Sequence, residues 1–218
     1  MSAYVAVPVK DLSSAKQRLI PGLSPDERRA LARAMLEDVL AALVGALDAA
    51  PFVVTRDPEV MEVAAHHGAR CLVESANRGH TEAVAFAQRA AAVAGAERFL
   101  TIPGDVPCVT AAEVRAVLDG LSPPRGALFV PSLSGFGTNA ALLTPPDVMP
   151  LKFGEPSFDN HLDAARQRGL APVVLNLPGL GLDIDAPEDL ALLLERGPDT
   201  KSAALLRGWG VPRPADAL

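Results

Sequence analysis

The chain has 218 residues, enough for one domain with a full core, and 49% of them are hydrophobic, which excludes wholesale disorder. Its formal net charge of -6 excludes the broad basic footprint that binds nucleic acid, so an anion site has to be a local cluster of Lys and Arg. The two cysteines, Cys71 and Cys108, are too sparse for a disulfide framework and read as buried thiols. The apolar start, residues 1–9, stops at Lys10 and Asp11 without a basic leader, so it is not a signal peptide, and no run reaches the length of a membrane span. A reduced cytoplasm is the expected setting, with neither nucleic acid nor membrane as partner.

In chain order, residues 3–9 read as a strand buried on both faces. Ser24 then caps a long helix with Pro25 in its first turn and Glu27 closing a capping box; Leu31, Met35, Val39 and Leu43 form its apolar stripe. Strands follow at 52–55, 69–73 and 98–103, and helices at 58–67, 81–94 and 111–118. Runs 127–131 and 139–144 have no helix between them and are expected to pair around the loop 132–138. A helix at 157–168, a strand at 172–177 and a helix at 187–195 complete the pattern. Residues 1–197 form a single domain in this reading, and 198–218, rich in Pro, Gly and Ala, form a peripheral tail. Apolar helix faces and Trp209 are left to bury against either a second subunit, as a homodimer, or the chain's own core.

Strands alternating with helices predict right-handed βαβ units, hence an α/β fold with a mostly parallel sheet and helices on both faces. The run at 127–144 makes the sheet mixed. Ligands in such sheets bind beyond the carboxyl ends of the strands, and the charged motifs fall there. Lys10, Lys16 and Arg18 gather after the first strand, where Lys supplies a point charge and Arg a fork for phosphate oxygens. A solvated loop is the competing reading. Gly104-Asp105 follows the fourth strand, and a carboxylate there suits Mg²⁺, although a turn would explain it as well. Asp183 and Asp185 alternate with Leu182 and Ile184, so both leave one side of an extended segment, and a bridging cation would relieve their repulsion. Asp185 is shared with a capping box to Glu188. The loop 134–139 offers glycine amides to an anion or forms a plain hairpin turn; Ser157 opens a helix whose N-terminus either holds an anion or is simply capped. His66, His67, His80 and His161 lack metal-binding spacing.

Five motifs in order resemble the 2-phospho-L-lactate guanylyltransferase family, which includes bacterial phosphoenolpyruvate guanylyltransferases that serve biosynthesis of the deazaflavin coenzyme F420. They are Pro8-Val9-Lys10 with Ala15-Lys16-Gln17-Arg18-Leu19, Gly104-Asp105-Val106-Pro107, Gly137-Thr138-Asn139-Ala140, Phe153-Gly154 with Ser157 and His161, and the run from Leu182 to Leu190. The resemblance covers nearly the whole chain. It implies a three-layer nucleotidyltransferase fold of the nucleotide-diphospho-sugar transferase kind, GTP as donor, a small phosphorylated acid as acceptor and pyrophosphate as by-product. By the same resemblance Asp105, Asp183 and Asp185 are metal-binding acids for Mg²⁺, and Lys10, Thr138, Gly154 and Ser157 hold the phosphorylated acid. Lys16 and Arg18 match the basic residues of the nucleotide loop; with Asp105 they are the catalytic candidates. Arg78-Gly79-His80-Thr81 replaces a Gly-Leu-Asn-type segment, a departure on the nucleotide side. A transferase using CTP or another donor, and a non-catalytic nucleotide-binding homologue, are the alternatives.

Overall fold

The computed structural model describes residues 3–20, 22–122 and 124–211. Seven strands form one sheet: β1 (Ala3–Pro8), β2 (Phe52–Thr55), β3 (Arg70–Val73), β4 (Arg98–Thr101), β5 (Gly126–Pro131), β6 (Thr138–Thr144) and β7 (Val173–Val174). Their order is β3-β2-β1-β4-β6-β5-β7. Every pairing is parallel except those of β6, which runs antiparallel to both β4 and β5. The expected mixed, mostly parallel sheet is therefore present, and runs 127–131 and 139–144 do pair as a hairpin.

Seven α-helices cover the sheet: α1 (Pro25–Ala46), α2 (Pro58–His66), α3 (His80–Val93), α4 (Ala111–Asp119), α5 (Ser157–Gln167), α6 (Pro187–Arg196) and α7 (Lys201–Gly208). Alternation along the strands divides the core between the two faces. Val5, Val7, Leu100, Leu128, Val130, Ala140 and Leu142 point toward α1, α2, α4, α6 and α7. Their neighbours Tyr4, Ala6, Phe99, Ala127, Phe129, Ala141 and Leu143 point toward α3 and α5. Three layers result. The stripe Leu31, Met35, Val39 and Leu43 is fully buried, and the Ser24–Glu27 capping box forms as its spacing predicts.

Three expectations need correction. Cys71 is exposed, because β3 is an edge strand; only Cys108 is buried. The stretch after Gly197 is not a loose periphery. Thr200 caps α7, and Ser202, Ala203 and Leu206 are buried. Asp38 on α1 accepts hydrogen bonds from the Lys201 and Ser202 amides and the Ser202 hydroxyl, and Trp209 packs against the chain's own core. Residues 212–218 of that stretch lie outside the described residues. Finally, α6 is capped by Asp189 rather than through a pair of Asp185 and Glu188. The Asp189 carboxylate accepts from the Asp185 and Ala186 amides at 2.9 and 2.7 Å, which frees the Asp185 side chain for other work.

Candidate functional site

The carboxyl edge of the sheet collects the charged motifs. After β1 the chain makes two short 3-10 turns, Leu12–Ser14 and Gln17–Leu19, and Lys16 between them is left-handed with φ 55°. Among the described residues it is the one non-glycine with positive φ. Non-glycine residues are held there at some cost, and such positions cluster at functional sites. The turn aims the Lys16 ammonium inward: it donates to Asp105 at 2.7 Å and to Asp185 at 2.9 Å, with only 8% of the side chain exposed. Burial alone would lower the Lys16 pKa, but the Asp105 and Asp185 charges hold it above the ordinary lysine value. Burial likewise works against the Asp105 carboxylate, and Lys16 overrides it, keeping Asp105 below its usual range. Gly104 lets the two segments meet, since a Cβ there would stand 3.0 Å from Val9.

Asp183 and Asp185 arrive from the other side. The Ile184 amide donates to the Asp105 carbonyl at 3.1 Å, which ties the acidic segment to the loop after β4. Asn139, buried at the start of β6, donates through its side-chain amide to the Leu180 and Gly181 carbonyls and to the Asp183 carboxylate at 3.1 Å. It is the anchor of the segment. Burial pushes the Asp183 carboxyl up, and the Asp105 and Asp185 charges add to that. Arg18 reaches Asp185 at 3.9 Å from a side chain 72% exposed, so it stands at the mouth of the cleft.

Lys16 links Asp105 to Asp185, and the charges of both act on Asp183, but among the described residues no three His, Cys, Asp or Glu side chains converge as ready-made metal ligands. Lys16 lies between two of them. The donor set nevertheless fits Mg²⁺ in kind: hard carboxylate oxygens, with the Asp183 pKa raised by burial and by the charges of its two neighbours.

Of the residues expected to hold the acid, only Thr138 and Ser157 meet, beside His161. Lys152 N–H donates to His161 Nε2 at 3.0 Å. The other ring nitrogen, Nδ1, therefore carries the proton and donates to the Thr138 hydroxyl oxygen at 3.0 Å. Ser157 donates to the same oxygen at 3.3 Å. Thr138 accepts twice, which leaves its own proton uncommitted among the described residues. Burial lowers the His161 pKa to about 4, so the ring is neutral at pH 7. Thr138 and Ser157 are thus brought together as a buried pair, whereas Gly154, at φ 121°, forms the loop before α5, and Lys10 projects exposed from the other wall. The loop 134–139 is a plain hairpin turn, closed by the Ser132 amide on the Gly137 carbonyl and the Gly137 amide on the Ser132 hydroxyl.

Beside Lys16 and Asp105 lies a cavity of about 330 Å³ with Lys10, Lys16, His80, Gly104 and Asp105 on its walls, together with Met35 and Ala32. Spacing assigned no role to His80 or His161. His80 packs edge-on against Phe153 with ring centroids 4.6 Å apart, and Phe153 packs edge-on against His161 at 5.1 Å. Thr81 accepts from the Phe153 amide at 3.0 Å and donates to its carbonyl at 3.3 Å. The segment that departs from the resembled pattern therefore fastens the Phe153–Gly154 loop to α3. A polar residue at the first turn of a helix was the available signal.

A family model described as guanylyl transferase CofC like matches residues 3–213. The chain belongs to this family. It is 41% identical over 199 residues to a phosphoenolpyruvate guanylyltransferase of Sphaerobacter thermophilus, covering 91% of this chain and 95% of the relative. It is 35% identical over 207 residues to a 2-phospho-L-lactate guanylyltransferase of Methanothermobacter thermautotrophicus, covering 95% and 91%. A 3-phospho-D-glycerate guanylyltransferase of Colwellia psychrerythraea is 34% identical over 194 residues, covering 88% and 91%. Among solved structures, a nucleotide-diphospho-sugar transferase-like protein from Desulfovibrio desulfuricans superposes with a TM-score of 0.78 at 20% identity over 95% of each chain, which shows the three-layer nucleotidyltransferase fold. For this CofC-like chain no described helix is long and apolar enough to cross a membrane.

Proposed function

We propose that this protein transfers GMP from GTP to a small phosphorylated acid, with phosphoenolpyruvate as the acceptor and 2-phospho-L-lactate as the nearest alternative, releasing pyrophosphate in cytoplasmic biosynthesis of coenzyme F420. The observation that carries this reading is Lys16 held between Asp105 and Asp185 at the carboxyl edge of the sheet of a CofC-like chain. A phosphate ester with a second pKa near ~6 is already largely dianionic at neutral pH, so its oxygen needs no general base. That oxygen forms a bond to the α-phosphorus of GTP, and the bond from that phosphorus to the β-phosphate oxygen breaks.

The chain's task is to let two anions meet. Lys16 and Arg18 stand where the departing pyrophosphate gathers charge. Lys10 from one wall, and the free Thr138 proton with the Ser157 helix start from the other, position the acid. Asp105, Asp183 and Asp185 would hold Mg²⁺, which supplies charge neutralisation and alignment of the phosphates.

The test is mass spectrometry of products from each nucleoside triphosphate combined with phosphoenolpyruvate, 2-phospho-L-lactate and 3-phosphoglycerate. A GMP adduct of phosphoenolpyruvate, formed with pyrophosphate and abolished by EDTA, is expected. A CMP adduct, or no adduct with any pair, would overturn the reading.

A further inference from the structure

The guanine-reading group has no place yet in the site, and the departure at His80-Thr81 removes the amide that the resembled pattern would offer. The sheet order narrows the search. The acids sit beyond β4 and the acceptor cluster begins on β6, so the nucleoside extends the other way, past β1 toward β2 and β3. Strands are about 4.8 Å apart, so the end of β3 is roughly 14 Å from that of β4.

On that side a second cavity of about 260 Å³ adjoins the first and shares Val9, Lys10 and Asp11 with it. Arg56, Asp57, Pro58, Glu74 and Asn77 complete its wall. Asp57 is already committed, one carboxylate oxygen accepting from the Leu12 amide and the other from the Glu59 amide. Asn77 uses its side-chain oxygen on the Gly79 amide, which leaves its NH₂ as a donor. Glu74 follows directly on β3, is half-buried, and accepts no hydrogen bond among the described residues. The Arg56 and Lys10 charges act on it across the cavity.

We propose that the Glu74 carboxylate reads guanine, accepting the N1–H and 2-amino hydrogens side by side, while Arg56 and the Asn77 amide donate to O6. The inference rests on GTP being the donor. The chemistry is selective. A carboxylate is acceptor-only and takes two parallel donors. Guanine alone among the common bases presents that pair: adenine and cytosine put a ring acceptor beside their amine, and uracil flanks one N–H with two carbonyls.

The experiment is calorimetric binding of GTP, ITP and dGTP to the wild type and to Glu74→Gln and Glu74→Ala, with thermal melts to confirm folding. ITP lacks only the 2-amino group. The wild type should bind GTP about tenfold to a hundredfold tighter than ITP, the loss expected for one hydrogen bond to a charged group. In both variants that ratio should fall to within about twofold of one, with GTP/dGTP selectivity unchanged. A GTP/ITP ratio near one in the wild type, or unchanged in the variants, overturns the assignment; so does loss of GTP/dGTP selectivity alone, which would place Glu74 on the ribose. Binding decides this question, and the product screen decides the reaction, so the two fail separately.

Discussion

The ammonium of Lys16 stands 2.7 Å from the carboxylate of Asp105, a residue 89 positions away, and the same nitrogen reaches Asp185, 169 positions away, at 2.9 Å. One side chain from the loop after β1 thus bridges two acids delivered by separate segments, a partial neutralisation, and it is held there from a left-handed backbone.

Lys16→Met removes that neutralisation. Breaking a buried pair costs about 3–5 kcal/mol, and the half-exposed Asp185 reduces this to about 2 kcal/mol through solvent screening. In EDTA the variant should melt some 4–8 °C lower. Mg²⁺ should raise its melting temperature more than that of the wild type, because the three acids are left without their internal cation. Turnover should drop about 10²–10³-fold with loss of a charge at the leaving group. Melts with and without Mg²⁺, and pyrophosphate release, check this; an unchanged melting temperature in EDTA would contradict it.

Thr81→Val cuts both bonds from the hydroxyl to the Phe153 backbone. The Phe153–Gly154 loop then loses its tie to α3 on the acceptor side. We expect KM for the acid to rise about tenfold, the equivalent of one lost hydrogen bond, with KM for GTP unchanged and Thr81→Ser near wild type. Steady-state kinetics with each substrate varied in turn decides it.

His161 gives a pH dependence of definite sign. Burial holds the folded imidazole at about 4 against 6.5 for the free group. Between those values the unfolded chain binds a proton and the folded one does not, so stability falls as pH falls. The contribution is complete above pH 6.5 and is lost on approaching pH 4, up to about 3 kcal/mol. Denaturant unfolding at pH 7 and pH 4.5 should show the wild type losing about 2–3 kcal/mol more than His161→Gln.

Asp38→Ala tests the docking of α7. Three donors from Lys201 and Ser202 converge on that carboxylate. Its loss resembles loss of a helix cap, about 1–2 kcal/mol, and should lower the melting temperature by several degrees without changing KM for either substrate.

The sheet, its mixed character and six of the seven helices were legible because period-2 and period-3.6 hydrophobic patterns are written locally. Helix α7 was not: its buried face is small, chiefly Ala203 and Leu206, and its partner is Asp38 far back in the chain. Glu188 and Asp189 are adjacent acids, and spacing favoured the first as cap partner, whereas the N-cap falls one residue later, at Ala186, and uses the second. The sequence marked Lys16, Asp105, Asp183 and Asp185 as charged groups near one sheet edge. That the lysine would sit among the acids depends on a left-handed turn, and no local pattern announces one at a lysine. Asn139 and Thr81 act through backbone groups more than 40 residues away, a relationship invisible until the strands are ordered.

Reversal of β6 has a consequence for how such an enzyme can change. Because β6 runs against its neighbours, its first residues, Thr138 and Asn139, sit at the edge where the parallel strands end, directly after a tight hairpin. The tip of that hairpin is tied by its backbone, the Leu133 amide donating to the Gly181 carbonyl and the Phe158 amide to the Phe136 carbonyl, but the exposed Leu133 and Phe136 side chains can be exchanged while both strands keep their partners. On the proposed reading, the side of the site that receives the acid can therefore drift under selection for a new acceptor, while the side built on the parallel strands keeps the donor in place.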